Sequence, residues 1–407
     1  MTVRSATLSP ALPLSPERLF RNYLTRRLDR FETGSLSLTF PNGKSIQHRG
    51  VHPGPHAVVM VKRWRLLYKL LAEGEIGLAR GYVDGDWSTP DLAGVLDFGL
   101  CNDAAVSTAT QGFGPAHLIN RWAHFRNSNT PRGSRRNISA HYDLGNDFYA
   151  RWLDREMVYS SAVFQHPGES LESAQDRKFA RIVELLEMSG GENVLETGCG
   201  WGGLARHLVQ SGAGSVKGIS LSKEQIEYAT ARARKIGLAD KISFELMDYR
   251  SLSESYDRIV SIEMIEAVGE RYWPVYFEKL RQSLNDDGVV LLQIITIAED
   301  LFESYRSRPD FIQQYIFPGG MLPTVSIIRD EAERAGFHLV HHEPFGPSYA
   351  QTLDIWHERF NANWTEIAKL GFDDRFRRIW NYYLKYCAAG FRHGAIDVGF
   401  FKLTPTR

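Results

Sequence analysis

Cysteine is scarce in this chain: Cys101, Cys199 and Cys387 are the only three in 407 residues, far apart and odd in number. That argues against a disulfide framework, points to a reducing compartment, and offers no ligand spacing for a zinc site. Net charge is missing too, because 48 Lys and Arg balance 48 Asp and Glu. No global field therefore draws the chain to nucleic acid or to an anionic surface, and any membrane contact must be local. Long apolar runs are also lacking. A membrane-crossing helix needs about 20 apolar residues, and the richest run, Val289 to Ile297, is only strand length. Met1 to Ser15 has one arginine and no continuous apolar stretch with a cleavage pattern, so no signal peptide is expected. Internal repeats and low-complexity tracts are absent.

What is present is the composition of a globular protein, 43% hydrophobic and 24% charged, long enough for a substantial core and for two domains. Up to about Phe98, a helix near Leu19 to Phe31, a strand at Ser35 to Phe40 and the turn Pro41-Asn42-Gly43 predict a small α+β unit. From Ala104 the texture shifts to Ser, Thr, Asn, Gly and Arg. We therefore divide the chain into residues 1–103, a linker at 104–137, and a second domain at 138–407. The linker's Arg121, Arg126, Arg132, Arg135 and Arg136 fit either attraction to anionic lipid head groups or an ordinary solvated segment.

The second domain alternates. A helix at Ala174 to Met188 precedes strands at Asn193 to Glu196 and Ser215 to Ile219, with helices from Gly202 and over Lys223 to Lys235. Further strands follow at Ile242 to Leu246, Tyr256 to Ile262, Val289 to Ile295 and Gly399 to Leu403. This predicts an α/β fold with a doubly wound, mostly parallel sheet and ligands at the carboxyl ends of its strands. The first strand runs into Gly198-Cys199-Gly200-Trp201-Gly202-Gly203, where Gly198 and Gly200 let the backbone turn sharply and approach a ligand. A dinucleotide loop would read G-x-G-x-x-G. This one has the form of a class I methyltransferase loop, over which the methionine part of S-adenosyl-L-methionine lies. The next strand ends in Gly218-Ile-Ser-Leu-Ser222 without the usual ribose carboxylate, so Ser220 and Gln225 must serve instead. Asp248 reads either as an exposed turn residue or, after that loop, as part of the adenine edge.

Several strings resemble the cyclopropane-fatty-acid synthases, and the likeness runs through nearly the whole chain: Gly74-Glu-Ile-Gly-Leu-Ala79, Asp84-Gly-Asp-Trp87, His141-Tyr-Asp-Leu-Gly-Asn146, Met157-Val-Tyr-Ser160, Ile265-Glu-Ala-Val-Gly269, Tyr315-Ile-Phe-Pro-Gly-Gly320 and Tyr349-Ala-Gln-Thr-Leu353. The resemblance implies a Rossmann-like class I methyltransferase domain with an acyl tunnel and a smaller N-terminal α+β lipid-binding domain. It also implies a cytoplasmic enzyme, peripherally associated with the inner face of the membrane, that acts on an unsaturated phospholipid and forms a homodimer. S-adenosyl-L-methionine would be held by Tyr159, Ser160, Gly198, Cys199, Gly200, Ser220, Leu221, Gln225, Asp248, Tyr249 and Arg250. The family binds a bicarbonate ion through Cys, Glu, His and Tyr. Glu266 and Tyr349 stand at the Glu and Tyr positions, but Ser161 replaces the Cys and Gln293 the His. Gln at that place resembles the branch of plant-like enzymes.

The chemistry expected of such a site is demanding. An alkene is a poor nucleophile, so it must be held against the sulfonium methyl with water excluded, and aromatic faces can stabilise the resulting cation by about 0.5–2 kcal/mol each. Most of the C-terminal aromatics are expected in the core, with a minority at the tunnel. Loss of a proton from the transferred methyl closes a cyclopropane. Loss from a neighbouring carbon leaves a methyl-branched chain, an outcome kept open by Ser161 and Gln293. Glu266 either holds bicarbonate or is itself the base. Two further alternatives are a catalytically inactive lipid or cofactor carrier and methylation of a small soluble molecule.

Overall fold

The computed structural model describes Leu28, residues 30–102 and residues 144–406, and the chain divides into two compact units, 1–114 and 115–407. Most of the helix expected near Leu19, the arginine-bearing linker and the start of the His141 motif lie outside the described residues.

In the first unit, Pro41-Asn42-Gly43 turns strand β1 (Thr33–Thr39) back into β2 (Ser45–Arg49). Strand β3 (His52–Val61) runs parallel to β1 on its other side, followed by helices α1 (Arg65–Glu73) and α2 (Glu75–Val83), the short strand β4 (Trp87–Ser88) and helix α3 (Leu92–Cys101). The sheet order is β2-β1-β3-β4. Its apolar face is covered by Leu66, Leu67 and Leu70 of α1 and by Val95 and Phe98 of α3, packed around Trp87. Two of the quoted strings have local structural reasons. A Cβ at Gly77 would lie 2.1 Å from the Lys69 carbonyl oxygen, so only glycine lets α1 and α2 close on each other. Asp84 and the fully buried Asp86 both accept from Lys69 Nζ at 2.6 Å, and Trp87 donates to the Leu78 carbonyl at 2.8 Å.

The second unit carries a seven-stranded sheet. Helix α4 (Leu171–Leu185), N-capped by Ser170, precedes β5 (Asn193–Thr197), α5 (Gly203–Gln210), β6 (Ser215–Ser220), α6 (Lys223–Lys235), β7 (Ile242–Leu246) and β8 (Tyr256–Ile262). Then come α7 (Trp273–Gln282), β9 (Leu284–Ile297), α8 (Val325–Arg334), β10 (Phe337–Pro344), α9 (Gly346–Ala362), α10 (Asp374–Arg392) and β11 (Ile396–Pro405). The order is β10-β11-β9-β8-β5-β6-β7, with only β11 antiparallel to its neighbours. Central strand β9 is buried without a break from Gly288 to Gln293, as a strand covered on both faces must be.

Strand β10 is absent from the sequence reading, because Phe337-His-Leu-Val-His-His-Glu-Pro344 carries three histidines and a proline. As an edge strand it buries only Phe337 and half-shelters every second residue after it, so polar side chains cost it little. Helix α4 stops at Leu185 rather than Met188: Glu187 takes φ 51°, and Gly190 and Gly191 complete the turn into β5. The layout leaves one conspicuous place. From β5 the chain winds outward through β6 and β7, then returns to lay β8 on the other side, so the crevice beyond the carboxyl ends of β5 and β8 is the switch point of the sheet.

Candidate active site

A cleft of about 1200 Å3, counting its open mouth, lies at that switch point. Its floor is the loop after β5, where Gly198, Gly200 and Gly202 take φ of 82°, 50° and 79°, values that favour glycine. A Cβ on Gly200 would meet nothing within 4 Å, which leaves its backbone open to a ligand. Cys199 lies buried in the same wall. After β6, Ser220 Oγ donates to Gln225 Oε1 at 2.8 Å, and Ser222 caps α6, so Ser220, Leu221 and Gln225 are held rigidly against the cleft.

Beyond β7, Tyr249 and Arg250 line the cleft and Asp248 stands behind them. Asp248 Oδ1 accepts from the backbone N–H of Arg250 at 3.0 Å and from its Nε at 2.8 Å, so this carboxylate fixes the turn. The Tyr249 hydroxyl is buried without a partner, and burial pushes its pKa up to about 12. The opposite wall is residues 156–160. Asp154 accepts from the N–H groups of Glu156 and Val158, and Met157 takes φ 59°. Ser160 Oγ accepts from Lys178 Nζ at 2.8 Å. Tyr159 shares a 2.9 Å hydrogen bond with the Tyr383 hydroxyl, its ring among Tyr149, Trp152 and Trp356. All eleven residues expected at the cofactor thus gather at this cleft, ten in its wall and Asp248 directly behind.

The four residues expected to handle the proton are arranged differently. Ser161, Gln293 and Tyr349 converge, but on Glu263 rather than Glu266. Glu263 Oε1 accepts from the Ser161 backbone N–H at 2.9 Å and from Gln293 Nε2 at 2.7 Å, and Oε2 accepts from the Tyr349 hydroxyl at 2.6 Å. The Ser161 hydroxyl turns away to the Ala162 carbonyl. Glu266 lies three residues on and outside the cleft wall. One of its oxygens accepts from the Ile295 N–H at 2.6 Å, and the other is buried without a partner. Burial, then the charge of Glu263, pushes its pKa up to about 8. Burial also raises that of Glu263, against the pull of Tyr349, Ser161, Lys178 and Gln293.

Three residues of this site escaped the sequence reading: Glu263, Lys178 and Glu196. Glu263 had a visible signal, since it directly follows the last residue of β8 at the switch point. Its backbone carries another: φ 49° at a non-glycine residue, worth roughly 1–2 kcal/mol of strain and frequent at functional positions. Lys178, fully buried on α4, is pulled down to about 8 by burial, and Glu196 at the end of β5 is pushed up to about 8 by the same cause. Nothing in their spacing marks either one. Behind Glu263, helices supply packed aromatics: Tyr349 of α9 stacks on Phe391 of α10 at 4.5 Å and meets Trp356 edge-on. Of the expected core aromatics, Trp273 and Phe277 pack in the main core.

A Rossmann-like sheet with its last strand reversed, and a glycine loop at its switch point, defines the class I methyltransferases. Structural neighbours carry the same fold at low identity. Coclaurine N-methyltransferase bound to N-methylheliamine and SAH superposes with a TM-score of 0.62 at 18% identity, covering 81% of this chain and 99% of that one. More specifically, the family model for mycolic acid cyclopropane synthetase matches residues 129–401. The chain is 37% identical over 345 residues to the cyclopropane-fatty-acyl-phospholipid synthase of Escherichia coli K12, covering 83% of this chain and 85% of that one. It is 37% identical over 344 residues to the tuberculostearic acid methyltransferase UfaA1 of Mycobacterium tuberculosis, covering 80% and 78%. Mycolic acid cyclopropane synthase CmaA1 complexed with SAH and CTAB superposes with a TM-score of 0.62 at 32% identity, covering 66% of this chain and 97% of that one. The chain belongs to the cyclopropane synthase family and is an S-adenosylmethionine-dependent methyltransferase.

Proposed function

We propose that the chain transfers a methyl group from S-adenosylmethionine to the double bond of an acyl chain in an unsaturated membrane phospholipid and closes a cyclopropane ring. The observation that carries this reading is the junction of two features in one cleft. A rigid glycine-loop cradle meets a buried carboxylate held by Tyr349, Gln293 and Ser161, with aromatic faces beside it. S-adenosylmethionine supplies an electrophilic methyl on sulfur. The cradle fits it: the open face of Gly200, the unpartnered Tyr249 hydroxyl and one unpartnered Glu196 oxygen all await polar company. Gly198, Cys199 and Gly200 would run beneath the donor, Ser220 and Gln225 would take the ribose, Tyr249 and Arg250 the base, and Tyr159 and Ser160 the methionine end.

The relative from Escherichia coli is named for a fatty-acyl phospholipid, which supports a bilayer substrate. On that ground and by the family resemblance we place the chain at the bilayer surface, as a homodimer; no described helix is long and apolar enough to cross a membrane. A developing cation would face Tyr159 in the cleft wall, a contact worth about 0.5–2 kcal/mol. The comparisons favour neither an inactive carrier nor a methyl-branched product. The test is expression in a bacterium lacking its own cyclopropane synthase, fed methyl-deuterated methionine, with fatty acids read by mass spectrometry. Two deuteriums in a one-carbon-longer saturated chain are expected, since ring closure removes one from the methyl. Three deuteriums would overturn ring closure.

A further inference from the structure

We infer that Glu263 is the enzyme's built-in proton acceptor and makes bound bicarbonate unnecessary. The inference rests on the methyl transfer proposed above, and begins from the donors. The Ser161 N–H, the Gln293 amide and the Tyr349 hydroxyl converge on a site that a small planar anion would suit, and a planar anion already fills it. The Glu263 carboxylate takes all three at 2.6–2.9 Å. A bicarbonate ion does not fit beside it, because the same donors cannot serve a second anion and the two negative charges would repel. Ser161, moreover, aims its hydroxyl at the Ala162 carbonyl and leaves only backbone for the site.

Position distinguishes Glu263 from Glu266. Glu263 is in the cleft wall beside Gly198, Met264 and Ala267, whereas Glu266 is behind it with one oxygen tied to the Ile295 N–H. Three donors favour the charged form of Glu263, and its neighbour's single side-chain-to-backbone bond leaves Glu266 holding its proton. The backbone adds independent support. Glu263 sits at φ 49°, where glycine would be relaxed, and its N–H is pinned to the Gln293 carbonyl at 2.8 Å. A strained glutamate kept at such a point argues that the carboxylate itself is needed there.

The step balances. The alkene electron pair forms the new bond to the methyl carbon as the carbon–sulfur bond breaks toward sulfur. A proton of the transferred methyl then passes to a Glu263 oxygen, and the freed C–H pair closes the third ring bond. Tyr349 positions that carboxylate and later shares its proton.

The test uses the full chain with Glu263→Gly and Glu263→Gln, each checked for binding of S-adenosylhomocysteine, with turnover measured on vesicles of unsaturated phospholipid. Wild-type turnover is expected to be the same in carbon-dioxide-stripped buffer and with added bicarbonate. Both variants should lose about 10²- to 10⁴-fold, the usual contribution of a positioned base. Bicarbonate or formate should partly restore Glu263→Gly, whose missing side chain leaves the three donors free, and should not restore Glu263→Gln. In parallel, the NMR line of 13C-bicarbonate should be broadened by Glu263→Gly and not by wild type. Wild-type turnover that needs bicarbonate, broadening by wild type, or a fully active Glu263→Gln would overturn the inference. Should wild type methylate no unsaturated phospholipid, the reading of the previous section falls, and the bicarbonate line still decides what occupies the site.

Discussion

A buried carboxyl group with one donor and one unpartnered oxygen, as at Glu266, keeps its proton more firmly in the folded chain than in the unfolded one. Its pKa rises from an ordinary 4.5 to about 8. The sign follows directly: between these values the native state binds the extra proton, so stability falls as pH rises. For one such group the slope approaches about 1.4 kcal/mol per pH unit. Urea unfolding of the ligand-free enzyme between pH 5 and pH 7.5 should therefore show a loss of stability with rising pH. Glu266→Gln should flatten that slope, because an amide needs no proton. An unchanged slope would mean that Glu266 is ionised in the native state. Glu196, which shares the direction, keeps part of the slope in the variant.

Among the elements, α9 holds several of the residues around Glu263 in place. Tyr349, Thr352, Leu353, Trp356 and Phe360 recur at the three- and four-residue spacing of one helical face, and all are buried. That face does more than pack. Thr352 Oγ1 accepts from the Ala162 N–H at 3.1 Å while donating to the Ser348 carbonyl, and Ser348 Oγ accepts from the Phe164 N–H. These bonds hold the segment that begins at Ser161, whose N–H reaches Glu263. Thr352→Val keeps the shape and strands the Ala162 N–H, at a cost of about 1–3 kcal/mol. We expect denaturant unfolding to show that loss, together with a lower kcat at little-changed affinity for S-adenosylmethionine. Trp356→Ala should cost about 3–5 kcal/mol by emptying the junction of Tyr159, Trp152 and Tyr349.

At the scale of the whole molecule, much of the second unit is legible from sequence. Strands such as Ile242–Leu246 and Tyr256–Ile262 and the helix Lys223–Lys235 are bounded where their apolar periodicity and caps say, because local and tertiary preferences agree there. Edge strand β10 escapes because half its residues face solvent. The wall of the cleft is legible for a related reason: most of it is one contiguous loop plus strand ends. The cluster around Glu263 is not. Ser161, Glu263, Gln293 and Tyr349 come from four separate segments, and the choice between two glutamates three apart depends on a backbone angle that no periodicity reveals. Contact with the bilayer is the remaining large-scale expectation. Replacing Arg121, Arg126, Arg132, Arg135 and Arg136 with Gln should weaken binding to anionic liposomes by on the order of 1 kcal/mol per charge at low salt. Sedimentation with vesicles reads this directly, and equal binding by the variant would count against a role for these residues.

The left-handed backbone at Glu263 also bears on how this activity is wired to its surroundings. A glycine at that position would relieve the strain and open a pocket shaped for an inorganic anion, and glutamate and glycine codons differ by one base. A single point mutation would therefore exchange a self-sufficient catalyst for one whose output tracks dissolved carbon dioxide. With glutamate in place, lipid modification is insulated from the gas phase in which the cell grows.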